Sequence, residues 1–359
     1  MTISFNVAAI AAVIPSISVD LKLSDIVVSR MIPFYMIPYG VGALIYAPLT
    51  KYISYRRILG VSLLCYAVAS FWCGAALSIL PLLIGRVAAG LAGASAIPVG
   101  LMLIGQLFEK DVRGRLVGLF FSCSFVASIA GIMLSGMASW RWLFYVPAVL
   151  GAMTALTLFF FPTGLSRSVR GLSVNYWHAF QDVKIRDVFI FIFVISFLYH
   201  GIHKWFGVYL SRVYQLDKLT ISFFFIWMAV SGALGQVGGG FLSDKKGRYA
   251  ACLSGVLILS VASMLLYARY PLVVLGFVLG LIALGWTVGH NGVSTVLTDF
   301  PEERRPEIAS LNSSVRFVSG GIGFFVSSFF VTKSFELTFL GVGVLMLICS
   351  VFLKRVIPE

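Results

Sequence analysis

Residues Gly235–Arg248 read GQVGGGFLSDKKGR, so a glycine-rich apolar stretch ends there in a short, strongly charged turn. Apolar runs long enough to cross a bilayer, about 20 residues of helix, recur along the whole chain between such polar breaks. We predict about twelve transmembrane helices, among them Thr2 to Val19 and Val188 to Leu210. The first of these has barely enough apolar residues to span, so we expect a short or truncated helix.

The composition points to lipid as the solvent of this chain. Of its 359 residues, 59% are hydrophobic and 11% are charged, whereas a soluble protein carries about 25% charged residues. The first apolar segment lacks a basic leader and a small-residue cleavage site, so we expect a retained helix. The cysteines lie within apolar segments without metal-ligand spacing, so we predict neither disulfides nor a metal site. No cofactor is expected.

The net charge of +13 is compatible with a nucleic-acid partner, but its distribution favours membrane topology. With both termini in the cytoplasm, the cytoplasmic breaks hold roughly seventeen basic residues against roughly seven in the opposite breaks. The cytoplasmic set includes Lys51, Arg56, Arg57, Lys245, Arg248 and Lys354. We therefore predict a multi-pass integral membrane protein with no nucleic-acid partner, lying in the cytoplasmic (inner) membrane if the organism is prokaryotic.

Two local patterns repeat along the chain. Residues Gly42–Arg57, GALIYAPLTKYISYRR, match Gly235–Arg248 in place, and Glu109–Arg113 precedes the fifth helix much as Pro301–Arg305 precedes the eleventh. The repetition predicts an internal duplication. Repeat-built transporters hold their substrate near the midplane between the repeats and alternate access by rocking one against the other.

The longest polar stretch supplies the boundary between the repeats. We predict a first bundle of about six helices in residues 1–162, a cytoplasmic linker in 163–187, and a second bundle of about six helices in 188–359. Val174 to Phe189 mixes aromatic and charged residues, which is typical of an amphipathic helix lying on the inner leaflet.

At the charged turn the sequence resembles the major facilitator superfamily, and the resemblance extends over nearly the full length. The resemblance implies an all-α membrane fold of two pseudo-symmetric six-helix bundles. The motif residues are Gly240, Asp244, Lys245, Gly247 and Arg248. Gly247 permits a tight turn, and Asp244 can accept charge-assisted hydrogen bonds, so this loop is a conformational latch or, alternatively, a solvated turn.

A second resemblance lies in the fourth helix, where Arg86 is followed by Gly90 and Gly93. An arginine within hydrocarbon must face the protein interior, where it either pairs with carbonyl groups or handles substrate or protons. The turn Ser139–Phe144 resembles that of drug-efflux branches and also suits an interfacial aromatic belt.

Four positions depart from the family pattern. Lys51 and Ser54 stand where the first-half loop usually has aspartate and glycine, which weighs against a first-half latch. Ile132 replaces the proline of the antiporter motif, and Asn6 falls where the first helix often carries aspartate. These last two departures weigh against a simple proton antiporter.

Polar residues at bilayer depth mark a pathway or a buried partner. We predict a substrate or proton pathway and find basic residues but no acidic residue deep in any span, so its potential is positive and favours an anion. Histidine is suited to proton coupling; alternatively, the histidines are core residues and Lys204 extends outward. The pathway set is Asn6, Tyr35, Tyr39, Arg86, His200, His203, Lys204, Trp286, His290, Asn291, Asn312 and Arg316.

We expect a secondary active transporter that moves a small solute, a drug-like molecule or an organic anion, by alternating access. Efflux with proton coupling and a monomeric state are the leading expectations. A uniporter or a nutrient-uptake symporter is the alternative within transport, and a transport-silent receptor or assembly scaffold is the alternative outside it. The sequence has no phosphate loop or serine nucleophile motif, so we do not expect an enzyme.

Overall fold

The computed structural model describes residues 2–108, 110–160, 175–300 and 305–357. Within these ranges the chain is helical and contains no strand. The predicted linker is described only from residue 175 onward, so Arg167 and Arg170 lie outside the described residues. The helices are α1 Thr2–Leu21, α2 Asp25–Ser29, α3 Pro33–Leu49, α4 Tyr55–Ala75, α5 Ile79–Gly93, α6 Ala96–Leu107, α7 Lys110–Met137, α8 Trp142–Phe160, α9 Tyr176–Gln181, α10 Val183–His203, α11 Phe206–Val213, α12 Lys218–Leu265, α13 Leu272–Thr298, α14 Arg305–Val331, α15 Phe335–Val351 and α16 Leu353–Val356.

Ten of the described helical segments are long and apolar enough to cross a membrane. One of them, α12, is two rods joined at Gly247, whose φ of 86° interrupts the helix. The apolar helix α15 is shorter, at 17 residues. The prediction of an all-α membrane protein with about twelve transmembrane helices is therefore confirmed.

The helix bundle has two ends, which differ in charge. One, called here the basic end, carries the turns with Lys51, Arg56, Lys245 and Arg248. The opposite end, called the far end, carries the turns between α1 and α2 and between α7 and α8. At the far end, Arg141 donates to Asp20 at 3.0 Å and to the carbonyls of Gly74 and Ala76 at 2.8 Å each. These bonds fasten the Ser139–Phe144 turn onto its neighbours.

The linker and the start of the next helix differ from the prediction. A six-residue helix, α9, ends at Gln181, and Asp182 then caps α10 by accepting hydrogen bonds from the backbone of Lys184 and Ile185. The seventh predicted helix thus begins at Val183 rather than Val188. An aspartate at the N-cap satisfies otherwise unpaired N–H groups, which is why the helix starts inside the polar stretch.

Helices before residue 163 contact helices after residue 187 at the far end. Arg212 makes a salt bridge with Asp25 at 2.6 Å, and Lys218 Nζ donates to the Ala138 carbonyl at 3.1 Å. Deeper in the bundle, Gly207 of α11 packs directly on the carbonyl of Ala11 in α1, leaving no room for a Cβ atom. These contacts close the far end.

Candidate functional site

Arg86 lies at the centre of the first polar cluster. Its side chain is 2% exposed; Nη1 donates to Asn6 Oδ1 at 2.7 Å and Nε donates to the Met31 carbonyl at 3.1 Å. Asn6 Nδ2 in turn donates to the Leu143 carbonyl at 3.0 Å. Arg86 is thus hydrogen-bonded through Nε and Nη1 to neutral groups, and its positive charge has no carboxylate partner in the described part of the chain.

Two tyrosines extend this cluster towards the second half of the chain. The Arg86 guanidinium lies 4.1 Å from the ring centroid of Tyr35, a cation–π contact. Tyr39 stacks on Phe317 of α14 with the ring centroids 4.0 Å apart. Gly90 packs against the Tyr35 backbone and Gly93 lies beside the Tyr35 hydroxyl, so both glycines of the fourth-helix motif let α5 approach α3 closely.

The second cluster begins where α10 ends. His200 and His203 lie in its last turn, Lys204 caps it, and the chain turns at Lys204 and Trp205 before α11 begins. The helix is therefore interrupted at these two residues. The Lys204 side chain is 6% exposed, which excludes the alternative in which it extends outward.

Trp286 of α13 is the hub of the second cluster. Its ring stacks on that of Tyr199 with the centroids 3.9 Å apart and the planes 2° from parallel. His200 and His290 lie at 5.5 and 5.9 Å from it, and the Arg316 guanidinium lies at 6.0 Å. The arrangement offers a flat aromatic surface edged by basic side chains.

Arg316 is only partly satisfied by protein groups. Its Nε donates to Asn312 Oδ1 at 2.7 Å, whereas the buried Nη2 has no hydrogen-bond partner among the residues that the structure describes. A cavity of about 10 Å³ beside Trp286, His290 and Arg316 has room for about one water molecule. An organic substrate would therefore need the surrounding helices to separate.

Neither histidine at the end of α10 is fully hydrogen-bonded. The Nδ1 atoms of His200 and His203 are buried without a hydrogen-bond partner in the described part of the chain. His290 differs, because its Nδ1 lies 3.4 Å from the Ser294 hydroxyl.

Asn291 does not join either cluster. Its Nδ2 donates to the Gln236 carbonyl of α12 at 3.2 Å, so it bridges two helices of the second half. The remaining predicted pathway residues fall into the two clusters.

Carboxylates lie away from the clusters in the ranges that the structure covers. Asp20 and Asp25 are paired with arginines at the far end. At the basic end, Glu307 accepts a hydrogen bond from the Asn175 backbone and Asp299 pairs with Arg248. The central cations therefore have no acidic counter-ion among the described side chains.

The charged turn at the basic end has one tight-turn residue, exposed charged side chains and one salt bridge. Gly247 has the positive φ that a tight turn requires. Asp244 and Lys245 are both exposed. Arg248 makes a salt bridge with Asp299 at 2.5 Å. In the first-half loop, Lys51 and Arg57 are exposed and Arg56 donates to the carbonyls of Leu158 and Phe159.

Two aromatic residues outside the predicted pathway set belong to the site. Phe317 and Tyr199 supply stacking surfaces for Tyr39 and Trp286. Tyr199 adjoins His200 in sequence, which was an available signal. Phe317 lies in an apolar helix, where an aromatic residue is ordinarily part of the core, so no signal distinguished it.

Known proteins share this sequence pattern and this fold. The family model described as Major Facilitator Superfamily matches residues 1–320 and 206–359. Multidrug resistance protein 3 of Bacillus subtilis is 30% identical over 130 residues, which are 35% of this chain and 25% of that protein. Azole resistance protein 1 of Saccharomyces cerevisiae is 32% identical over 138 residues, 37% of this chain and 22% of that protein. In these matches the chain covers about a quarter of each relative's length.

Solved structures show the same architecture over almost the whole chain. A bacterial homologue of the human lysosomal transporter Spinster, inward-facing and unoccupied, superposes with a TM-score of 0.82 at 16% identity, covering 99% of this chain and 94% of that one. The human organic anion transporter MFSD10 superposes with a TM-score of 0.75 at 14% identity, covering 98% and 97%. The chain belongs to the Major Facilitator Superfamily and is a multi-pass integral membrane protein with the fold of its transporters.

Proposed function

We propose that this protein is a secondary active transporter that moves a small organic anion across the membrane by alternating access. The observation that carries the proposal is the set of central cations, Arg86, Lys204 and Arg316, without a carboxylate among the described side chains nearby. A buried unpaired charge is costly, and a bound anion would offset that cost.

The three cations do not play equal parts in this proposal. Arg86 is hydrogen-bonded through Nε and Nη1 to Met31 and Asn6 and is held against Tyr35, so it contributes positive potential from a fixed position. Arg316 Nη2 has an unused donor in the described structure, which suits a direct hydrogen bond to a carboxylate or a similar group.

The aromatic surface supports a planar substrate body. Trp286 and Tyr199 form an extended stacked pair beside Arg316. A substrate with an aromatic ring and an anionic group would stack on this surface and direct its charge to the guanidinium. The proposed direction of transport is efflux, because the relatives described above are named for resistance to drugs.

Proton coupling in this proposal resides in the histidines at the end of α10. His200 and His203 each have a buried Nδ1 without a hydrogen-bond partner in the described residues, and both adjoin Lys204. Histidine exchanges protons near neutral pH, so a change in its charge would alter the attraction for an anion.

In this transport cycle, residues 1–162 and 188–359 form two bundles of one monomer, and these bundles rock against each other about the site. The far-end contacts of Arg212 with Asp25 and of Gly207 with Ala11 close one side. Substrate would then enter by separation of the helices at the basic end, because the cavity at Arg316 is too small for an organic molecule.

A flux assay in proteoliposomes tests this function. We expect transport of an aromatic carboxylate and none of the matched aromatic amine, with loss of about tenfold or more in Arg316→Gln because charge-assisted hydrogen bonds contribute about 1.5–3 kcal/mol. Arg269→Gln is the matched control, since Arg269 is exposed and pairs with Glu336 at the far end.

The outcomes separate the alternatives. Transport of the amine with none of the carboxylate would contradict the anion proposal. Absence of flux for every solute, from protein that is folded and inserted, would favour a transport-silent member of the family.

A further inference from the structure

A groove of about 330 Å³ lies on the surface of the second half, between α10, α14 and α15. Its walls are apolar and include Phe197, Phe330, Leu337 and Leu345. The last three are 57%, 61% and 50% exposed, so the groove opens towards the surroundings of the bundle. Gly341 forms part of its floor, and a Cβ atom there would meet no other atom within 4 Å.

The groove covers most of the hydrocarbon thickness of one leaflet. From Leu337 to Leu345 it follows α15 for about 12 Å, at a rise of about 1.5 Å per residue, starting at the turn that contains Lys333 and Ser334. Half the hydrocarbon thickness of a bilayer is about 15 Å. The groove therefore runs from the far-end membrane surface nearly to the midplane, which is the space that one acyl chain occupies.

The polar groups along the groove are already engaged. Ser327 Oγ donates to the Phe324 carbonyl and accepts from Trp205 Nε1, and Thr338 Oγ1 donates to the Ser334 carbonyl. Along its length the groove therefore presents an apolar wall, and the hydroxyl groups of Ser327 and Thr338 are already hydrogen-bonded within the protein.

Its mouth carries an available positive charge. Lys333 is exposed and makes no salt bridge with any residue the structure describes. The neighbouring carboxylate of Glu336 is occupied by Arg269 at 3.2 Å and by the Ser334 hydroxyl at 3.0 Å. A ligand that fits both features has an apolar chain and an anionic group at one end.

We propose that this groove binds one acyl chain of an anionic phospholipid, with the phosphate of its headgroup at Lys333. The lipid comes from the leaflet at the far end. The site is separate from the central cations and does not depend on the substrate.

Native mass spectrometry of the purified full chain, titrated with dioleoyl phosphatidylglycerol or dioleoyl phosphatidylcholine, tests this proposal. We expect the wild type to retain phosphatidylglycerol preferentially. Gly341→Leu fills the groove and lowers retention about tenfold, because apolar contact area is displaced. Lys333→Gln removes the headgroup partner and lowers phosphatidylglycerol retention about fivefold. Phosphatidylcholine retention should fall less, because its choline ammonium already offsets the charge of its phosphate.

The control is Gly238→Leu, because Gly238 is another helical glycine with no atom within 4 Å of its added Cβ. It should retain phosphatidylglycerol like the wild type. The melting temperature of lipid-free Gly341→Leu should be no lower than that of wild type, since the added side chain enters open space and leucine favours a helix over glycine. Equal retention in all variants would overturn the groove as a lipid site, and loss of both lipids in Gly341→Leu with no effect of Lys333→Gln would overturn its preference for an anionic headgroup.

Discussion

Arg86 Nη1 donates a hydrogen bond to the amide oxygen of Asn6 across 2.7 Å, in the buried interior of the bundle. An aspartate at position 6 would neutralise this arginine, whereas the asparagine only satisfies its donor. The positive charge of Arg86 is therefore retained inside the protein.

Asn6→Asp tests that relationship. The new carboxylate would form a salt bridge with Arg86, and we expect anion flux to fall about tenfold because the potential at the site is lowered. Asn6→Ala serves as the comparison, since it removes the hydrogen bond and keeps the charge. It should lower the free energy of unfolding by about 1–3 kcal/mol and preserve the preference for anions. Unchanged anion flux in Asn6→Asp would argue against an electrostatic role for Arg86.

Gly207→Val tests the closure of the far end. Gly207 packs on the Ala11 carbonyl with no space for a Cβ atom, so the valine would separate α11 from α1 and abolish flux. Gly118→Val is a matched helical control, because a Cβ atom at Gly118 meets nothing within 4 Å. Proteoliposome flux measures both. Wild-type flux in Gly207→Val would show that transport does not require this contact.

Asp299→Asn and Asp244→Asn compare the two acidic residues at the basic end. Asp299 pairs with Arg248, whereas Asp244 is exposed in this conformation. We expect the Asp299 variant to lose up to about 1 kcal/mol of stability, as is usual for an exposed pair, and the Asp244 variant to keep its melting temperature. If Asp244 acts as a latch in another conformation, its variant slows flux without that loss. A lowered melting temperature in the Asp244 variant would contradict the placement described here.

Asp217 predicts a pH dependence of stability. The Thr220 hydroxyl, followed by the backbone N–H groups of Leu219 and Thr220, holds the pKa of this carboxyl below its usual value. A lowered native pKa stabilises the fold fully above the unfolded value of about 3.9, and the contribution disappears as the pH falls through the native pKa. Melting temperatures from about pH 6 to about pH 3 should therefore fall less in Asp217→Asn than in wild type. Parallel curves would contradict this assignment.

The sequence predicted the fold because its signal is long-range and repeated. Apolar runs of spanning length and the matching charged turns specify a helical bundle without any knowledge of side-chain contacts. Gly247 was identified as a turn from its place among charged residues, and its positive φ confirms this. Helix boundaries were harder to predict than the helices themselves, because the Asp182 cap starts α10 inside the polar stretch.

The site was predictable only in part, because helical periodicity does not specify the partner of a side chain. The cost of a buried cation drew attention to Arg86 and Arg316, but nothing local decided between a buried Lys204 and one that extends outward. Likewise, Asp244 and Asp299 are both end-of-helix acids in sequence, and only the packing of α12 against α13 brings the second to Arg248. Asn291 resembled a pathway residue, yet it hydrogen-bonds the backbone of a neighbouring helix.

Isothermal titration of the purified protein with 2-naphthoate and with its neutral counterpart, 2-naphthamide, separates recognition of charge from stacking of the ring. Both probes offer the same ring to Trp286 and Tyr199, and only the carboxylate offers a charge to Arg316. We predict that naphthoate binds the wild type at least about tenfold more tightly than the amide, and that Arg316→Gln abolishes this difference. Equal binding of the two probes by the wild type would contradict the account.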